Sequence, residues 1–92
     1  MAHQAAVVTV VTGHVCPLYA DVLRILDQVG ERHPLKVREV LVGSPEADAL
    51  IDEHAPAMLP LVLVDGTYLS EGPLPRAELE ARLAASEAAA LV

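Results

Sequence analysis

The sequence predicts a mixed α/β fold in the order β-α-β-α-β-β-α, built on a four-stranded sheet with strand order 2-1-3-4. Three observations predict it. The β-branched run Val7–Val11, without polar alternation, and the unbroken aliphatic run Leu61–Val64 read as strands buried on both faces. Apolar residues at helical spacing follow a proline suited to a first helical turn at Pro17, Pro45 and Pro75. Asp65-Gly66, set between two β-forming runs, is the strongest hairpin signal in the chain. The 92 residues suit one domain, with a core over about 7–85 and an Ala-rich tail over 84–92.

The first strand, Val7-Val8-Thr9-Val10-Val11, is β-branched throughout. Thr12 to Cys16 follows as a loop, and the first helix is expected from Pro17 to about Val29. Leu18, Val22, Ile25, Leu26 and Val29 form its apolar stripe, and Gly30 and Pro34 stop it. The second strand, Leu35–Val42, carries Lys36, Arg38 and Glu39, charges that suit a sheet edge. Ser44 is placed to cap a short helix beginning at Pro45 and ending before Pro56, with Ala47, Leu50, Ile51 and His54 on its buried side. The third strand is Leu61–Val64, and Thr67–Ser70 returns from the hairpin as the fourth. A last helix over Pro75 to about Ala85 buries Leu79 and Leu83, and the alanine-rich end after it is expected to fray. Strands separated by helices are expected to run parallel through right-handed crossovers, which leaves only the fourth antiparallel.

Composition narrows function. Six basic residues against 13 acidic ones give a formal charge of -7, a field that repels nucleic-acid phosphates and anionic lipid. Tyr19 and Tyr68 are the only aromatic residues among Phe, Trp and Tyr, too few for a base-stacking platform. No apolar run approaches the length of a membrane span, and Met1-Ala2-His3-Gln4 has no basic signal region, so neither a membrane nor a nucleic acid is expected as partner and a cytoplasmic location is. The single cysteine, Cys16, rules out a disulfide within the chain and a zinc site of several thiolates.

Cys16 is the chemical candidate. A lone cysteine is, on composition alone, a buried structural residue. Its position overturns that reading: it ends a glycine-containing loop after a strand and immediately precedes Pro17, so the unpaired N–H groups and positive dipole end of a helix point toward the sulfur. Thiols at helix starts are more acidic than a free cysteine, and the thiolate is the form that attacks disulfides. His14 is the nearest group that could assist as imidazolium, although a solvated loop histidine is the plainer reading. With no further ligands nearby in sequence, a metal site is not expected.

Thr12-Gly13-His14-Val15-Cys16-Pro17-Leu18-Tyr19 after a first strand resembles the T-x-x-x-C-x-x-C active-site segment of glutaredoxin-like proteins of the thioredoxin superfamily. Met58-Leu59-Pro60 ahead of the third strand resembles that family's cis-proline segment, and Leu69-Ser70-Glu71-Gly72 its turn into the last helix. The resemblance covers residues from about Val7 to Leu83. It implies a thioredoxin-like fold, Cys16 as nucleophile within an active loop that includes Gly13, His14, Pro17 and Tyr19, and a substrate groove formed by Leu59, Pro60 and Gly72. Leu59 would present its backbone to an extended thiol-bearing substrate as an added strand.

Tyr19 stands where dithiol members carry their resolving cysteine, so a dithiol cycle is closed. The activity implied is monothiol exchange: Cys16 forms a mixed disulfide with a disulfide-bearing protein or small-molecule thiol, and an external thiol such as glutathione resolves it. No bound cofactor is expected, and Cys16-Pro17-Leu18-Tyr19 does not match the Cys-Gly-Phe-Ser of cluster-binding monothiol members. The Tyr19 hydroxyl either donates to the thiolate or its ring covers the first helical turn, the second being the expectation. No Lys or Arg lies between Gly13 and Leu23, and Glu71 opposes an incoming carboxylate, which leaves Arg76 as the candidate partner for one. The alternative function is a redox-silent module of the same fold that binds a protein or peptide partner through the groove.

Overall fold

The computed structural model of the chain describes residues 5–90. Its elements are β1 (Ala6–Thr12), α1 (Pro17–Gly30), β2 (Leu35–Leu41), α2 (Pro45–His54), β3 (Leu61–Val64), β4 (Thr67–Glu71) and α3 (Arg76–Ala90). One sheet holds all four strands in the order β2-β1-β3-β4. The aliphatic strands β1 and β3 are central, because only they have apolar side chains for both faces. The charged β2 takes one edge.

β1 and β2 are parallel, in register from Ala6 opposite Leu35 to Thr12 opposite Leu41, and β3 and β4 form an antiparallel hairpin. β3, however, runs antiparallel to β1, which corrects the expectation that helix-separated strands are all parallel. The reason lies in the connection. Val40 of β2 and Leu61 of β3 both pair with Val11, so β3 starts at the end of the sheet where β2 stops. The ten residues of α2 span about 15 Å at 1.5 Å per residue, and they return the chain to its own end instead of carrying it back along the sheet.

α1 and α3 cover one face. Val22, Leu26 and Val29 of α1 and Leu79 and Leu83 of α3 pack on Val8, Val10, Val62 and Val64. α2 covers the other through Ala47, Leu50 and Ile51, which pack with Val11, Val40, Leu61 and Leu63. α2 is too short to reach the start of β1, and Val7 on that face is 36% exposed, so β1 is not buried on both faces at that end. Ser44 caps α2 by accepting the Ala47 N–H at 3.1 Å, and Ala55 closes the helix in the left-handed conformation at φ 45°.

The hairpin turn places Asp65 at φ 49° and Gly66 at φ 83°, the paired positive values of the tight turn that matches strand twist. Asp65 also ties the turn to β1: its Oδ1 accepts the Val7 N–H at 2.9 Å, and its own N–H donates to the Val7 carbonyl at 2.8 Å. α3 runs to Ala90, a correction to the fraying expected from Ala84. The alanines and glutamates there are strong helix formers, and Glu87 meets the ring of His33, Nδ1 to Oε1 3.2 Å, across from the turn after α1. The remainder of that tail, and the polar lead Met1–Gln4, lie outside the described residues.

Candidate functional site

Three chain segments converge at one end of the sheet because of its register. Val11 pairs with Leu61 and Leu61 with Glu71. The loop leaving β1, the residues entering β3 and the turn leaving β4 therefore project beyond the same end of the sheet. The first carries Gly13 to Pro17, the second Met58 to Pro60, and the third Gly72.

Cys16 is the N-cap residue of α1, extended at φ -132° and ψ 110°, with Pro17 in the first helical position. Its carbonyl accepts the Tyr19 N–H at 3.1 Å, and its side chain makes no capping hydrogen bond, so the sulfur is not committed to the helix start. The residue is half-buried, unlike a thiol sealed in the core. His14 and Pro17 are exposed, and Val15 is 93% exposed. A Cβ at Gly13 would meet open space, so the loop needs no glycine there for packing. Among the described residues, no three His, Cys, Asp or Glu side chains are grouped to hold a metal ion.

The Leu59–Pro60 peptide is cis. Leu59 is half-buried against the α2-side core and Pro60 is buried. The Pro60 carbonyl accepts the Gly72 N–H at 2.9 Å, which joins the second and third segments. Gly72 is needed for its backbone, at φ +74°; a Cβ there would come within 2.7 Å of the Met58 Sδ, near the free end of a flexible side chain that can swing aside. Met58 lies over Gly72 and is itself 48% exposed. In the sequence Met58 has no role beyond its place in the segment, since nothing local signals a contact with a residue fourteen positions on.

Tyr19 packs against the α1-side core, half-buried, in keeping with a ring that covers the first helical turn. Its phenol is pushed up to about 12, by burial first and then by hydrogen bonding with the Glu39 side chain and that carboxylate's charge. The hydroxyl is therefore turned toward β2. Glu39 read in sequence only as an edge charge.

Two charged groups stand differently from expectation. Arg76 donates to Gln28 Oε1 at 2.7 Å and approaches Glu80 at 3.8 Å. Gln28 lies 12 residues beyond Cys16, about 18 Å along α1, so Arg76 is committed away from the loop and does not stand as the partner for a carboxylate there. Glu71 braces the site: its carboxylate accepts the Ala57 N–H and, at 2.9 Å, the Tyr68 hydroxyl. The Ala57 N–H foremost, then Tyr68, hold this carboxyl below its usual range, and Tyr68 is raised in turn, chiefly by Glu71. This contact follows from a bulge in β4. Val62 faces Ser70 while Leu63 faces Tyr68, so Leu69 is the extra residue that brings Tyr68 and Glu71 to the same face.

The likeness to known proteins is one of architecture. No protein-family model matches the chain, and no curated protein does. Solved structures do. An uncharacterized thioredoxin-like protein from Clostridium perfringens superposes with a TM-score of 0.70 at 11% identity, covering 88% of this chain and 70% of that one. The chain has the thioredoxin-like fold. A thioredoxin-2 described as a component of the malaria parasite's protein secretion machinery matches at TM-score 0.56 and 14% identity, over 88% of this chain and 82% of that one. Another malarial protein matches at 0.55 and 14%, over 97% and 100%. At such identities the thioredoxin-like likeness concerns the fold. No helix among the described residues is long and apolar enough to cross a membrane.

Proposed function

We propose that the chain is a glutaredoxin-like thiol–disulfide oxidoreductase that works by a monothiol mechanism in the cytoplasm. The observation that carries this reading is the setting of Cys16: a half-exposed thiol at the N-cap of α1, uncommitted to the cap, at the end of the sheet where Leu59–Pro60 and Gly72 also lie.

In the proposed cycle the Cys16 thiolate attacks one sulfur of a disulfide R–S–S–R′. A Cys16–S–S–R bond forms, the R–S–S–R′ bond breaks, and R′S⁻ leaves and takes a proton from water. An external thiolate R″S⁻, glutathione being one candidate, then attacks the R sulfur, which regenerates the Cys16 thiolate and releases R–S–S–R″. The backbone at Leu59 serves as the edge along which an extended substrate lies. No cofactor takes part.

Mass spectrometry after exposure to a small-molecule disulfide tests the reading. One adduct at Cys16, reversed by free thiol and lost in Cys16→Ser, is expected. Tyr19→Cys should further create a pair one helical turn apart that closes an intramolecular disulfide and gains dithiol-dependent reductase activity. If wild type forms no adduct while folded, and Tyr19→Cys forms its disulfide yet reduces nothing, the redox-silent binding module replaces this reading. That second reading is favoured by one observation, the seating of Tyr19 toward Glu39 at the position of a resolving thiol.

A further inference from the structure

An open groove of about 770 Å³ runs along the side of the molecule between α1 and the edge strand β2. Its floor is aliphatic, with Leu23 and Leu26 from α1 and Leu35 and Val37 from β2. Leu23 is 37% and Val37 42% exposed, so the floor is open to water at these two positions, whereas Leu26 is sealed. Asp27 and Glu31 stand on its helix side. Arg24, the one cation lining it, is already paired with Asp21 at 3.0 Å. Glu39 continues the same side of β2 two residues beyond Val37, toward Tyr19. The field over the groove is therefore negative, like that of the whole chain.

The groove borders an unpaired strand. β2 ends the sheet order, and its outer side has no strand neighbour among the described residues. An incoming strand paired there would alternate its side chains between the two faces of the sheet. Those on the α1 side would enter the groove. Those on the other side would meet Lys36 and the Arg38–Glu46 pair.

We propose that the β2 edge and this groove together receive an extended segment of a partner protein. On its groove-facing positions the segment carries apolar side chains flanked by Lys or Arg, with neutral polar residues between them. Aliphatic groups fill the space over Leu23 and Val37, and the flanking cations reach the carboxylates of Asp27 and Glu31 at one end and Glu39 at the other. A second copy of this chain fits poorly, since its own β2 would bring the same carboxylates against these and add another -7 of charge. The docking does not depend on whether Cys16 reacts.

The probe is a blocked seven-residue peptide with lysine at both ends, valine at positions three and five, and threonine elsewhere, titrated against the full chain by NMR. Expected are shifts confined to α1 and β2, slowed amide exchange over Lys36–Leu41, and affinity at least about tenfold above that of the same peptide with glutamate for lysine. Replacing the central threonine by proline should abolish the exchange protection, because a proline cannot donate to a ladder. The double variant Leu23→Ser with Val37→Ser, both at solvent-exposed positions, should weaken binding by about tenfold or more while the circular dichroism stays that of wild type. Equal affinity for the acidic peptide, unprotected β2 amides, undiminished binding by the proline peptide, or self-association mapped to this groove would each overturn the proposal.

Discussion

The two faces of the sheet are closed by different means. Under α1 and α3, aliphatic side chains from five elements meet, and Val8, Val10, Val29, Val62 and Leu79 are sealed from water. Under α2 the apolar cluster is smaller, and polar ties hold what remains: Arg38 to Glu46 between β2 and the helix start, the Ser44 cap, and Glu71 spanning Ala57 and Tyr68. The ring of His54 lies 6.1 Å from that of Tyr68 on this side. The contrast separates two tasks. Burial on the first face supplies most of the stability, whereas directional contacts on the second fix the segment that leads into Leu59–Pro60.

Truncation on the helical-pair face should give the largest effect. Leu26→Ala empties a fully buried site and is expected to cost about 2–5 kcal/mol in urea unfolding. The half-buried Ile51→Ala on the α2 face should cost distinctly less, and equal losses would erase the contrast. Next comes Gly72→Ala, at about 1–3 kcal/mol, since it forces an alanine into a positive φ. A Met58→Ala background should recover little of that loss, because the exposed Met58 side chain can move aside while the backbone strain stays, which unfolding of the double variant would measure. Ser44→Ala should cost about 1 kcal/mol through the lost cap, read as a lower unfolding midpoint with an unchanged denaturant slope.

The smallest effect at neutral pH is expected from Tyr19→Phe, and it grows with alkali. Because the folded chain holds the Tyr19 proton up to about 12, against 10.0 ordinarily, the unfolded chain ionises first. Stability should therefore be unaffected by this group below about pH 10 and fall as pH rises from there toward 12. Tyr19→Phe should flatten that decline, and phenolate absorbance of the variant should report Tyr68 alone. A decline of the same slope in both proteins would place Tyr19 in solvent.

Much of this organisation is legible in the residues because local signals agree with one another. Val7–Val11 and Leu61–Val64 could be central strands and little else, Pro17 and Pro45 open helices, and Asp65-Gly66 makes its turn. The direction of β3 is not legible, because crossover rules presuppose a connection long enough to recross the sheet, and the length of α2 shows its effect only once Val40 and Leu61 are seen to share Val11. In the candidate site, the loop at Cys16 is readable from one continuous stretch. The contacts of Met58 with Gly72, Tyr19 with Glu39 and Arg76 with Gln28 join distant positions and leave no trace in local spacing. Nor do the residues themselves indicate a cis bond before Pro60, since X-Pro bonds are mostly trans.

The extra residue in β4 makes the end of that strand a matter of parity. Counted by simple alternation, Tyr68 and Glu71 belong on opposite sides; inserted Leu69 makes their separation even in effect, and both look toward α2. Related sequences aligned without a gap at this point would assign Glu71 to the wrong side of the sheet, and with it every residue of the turn that carries Gly72. Removing Leu69 would close the bulge without turning anything over: Ser70 would follow Tyr68 directly, still opposite Val62, and Glu71 would stay opposite Leu61 on the α2 side, so the loss would be that of a buried leucine and not of the carboxylate's direction.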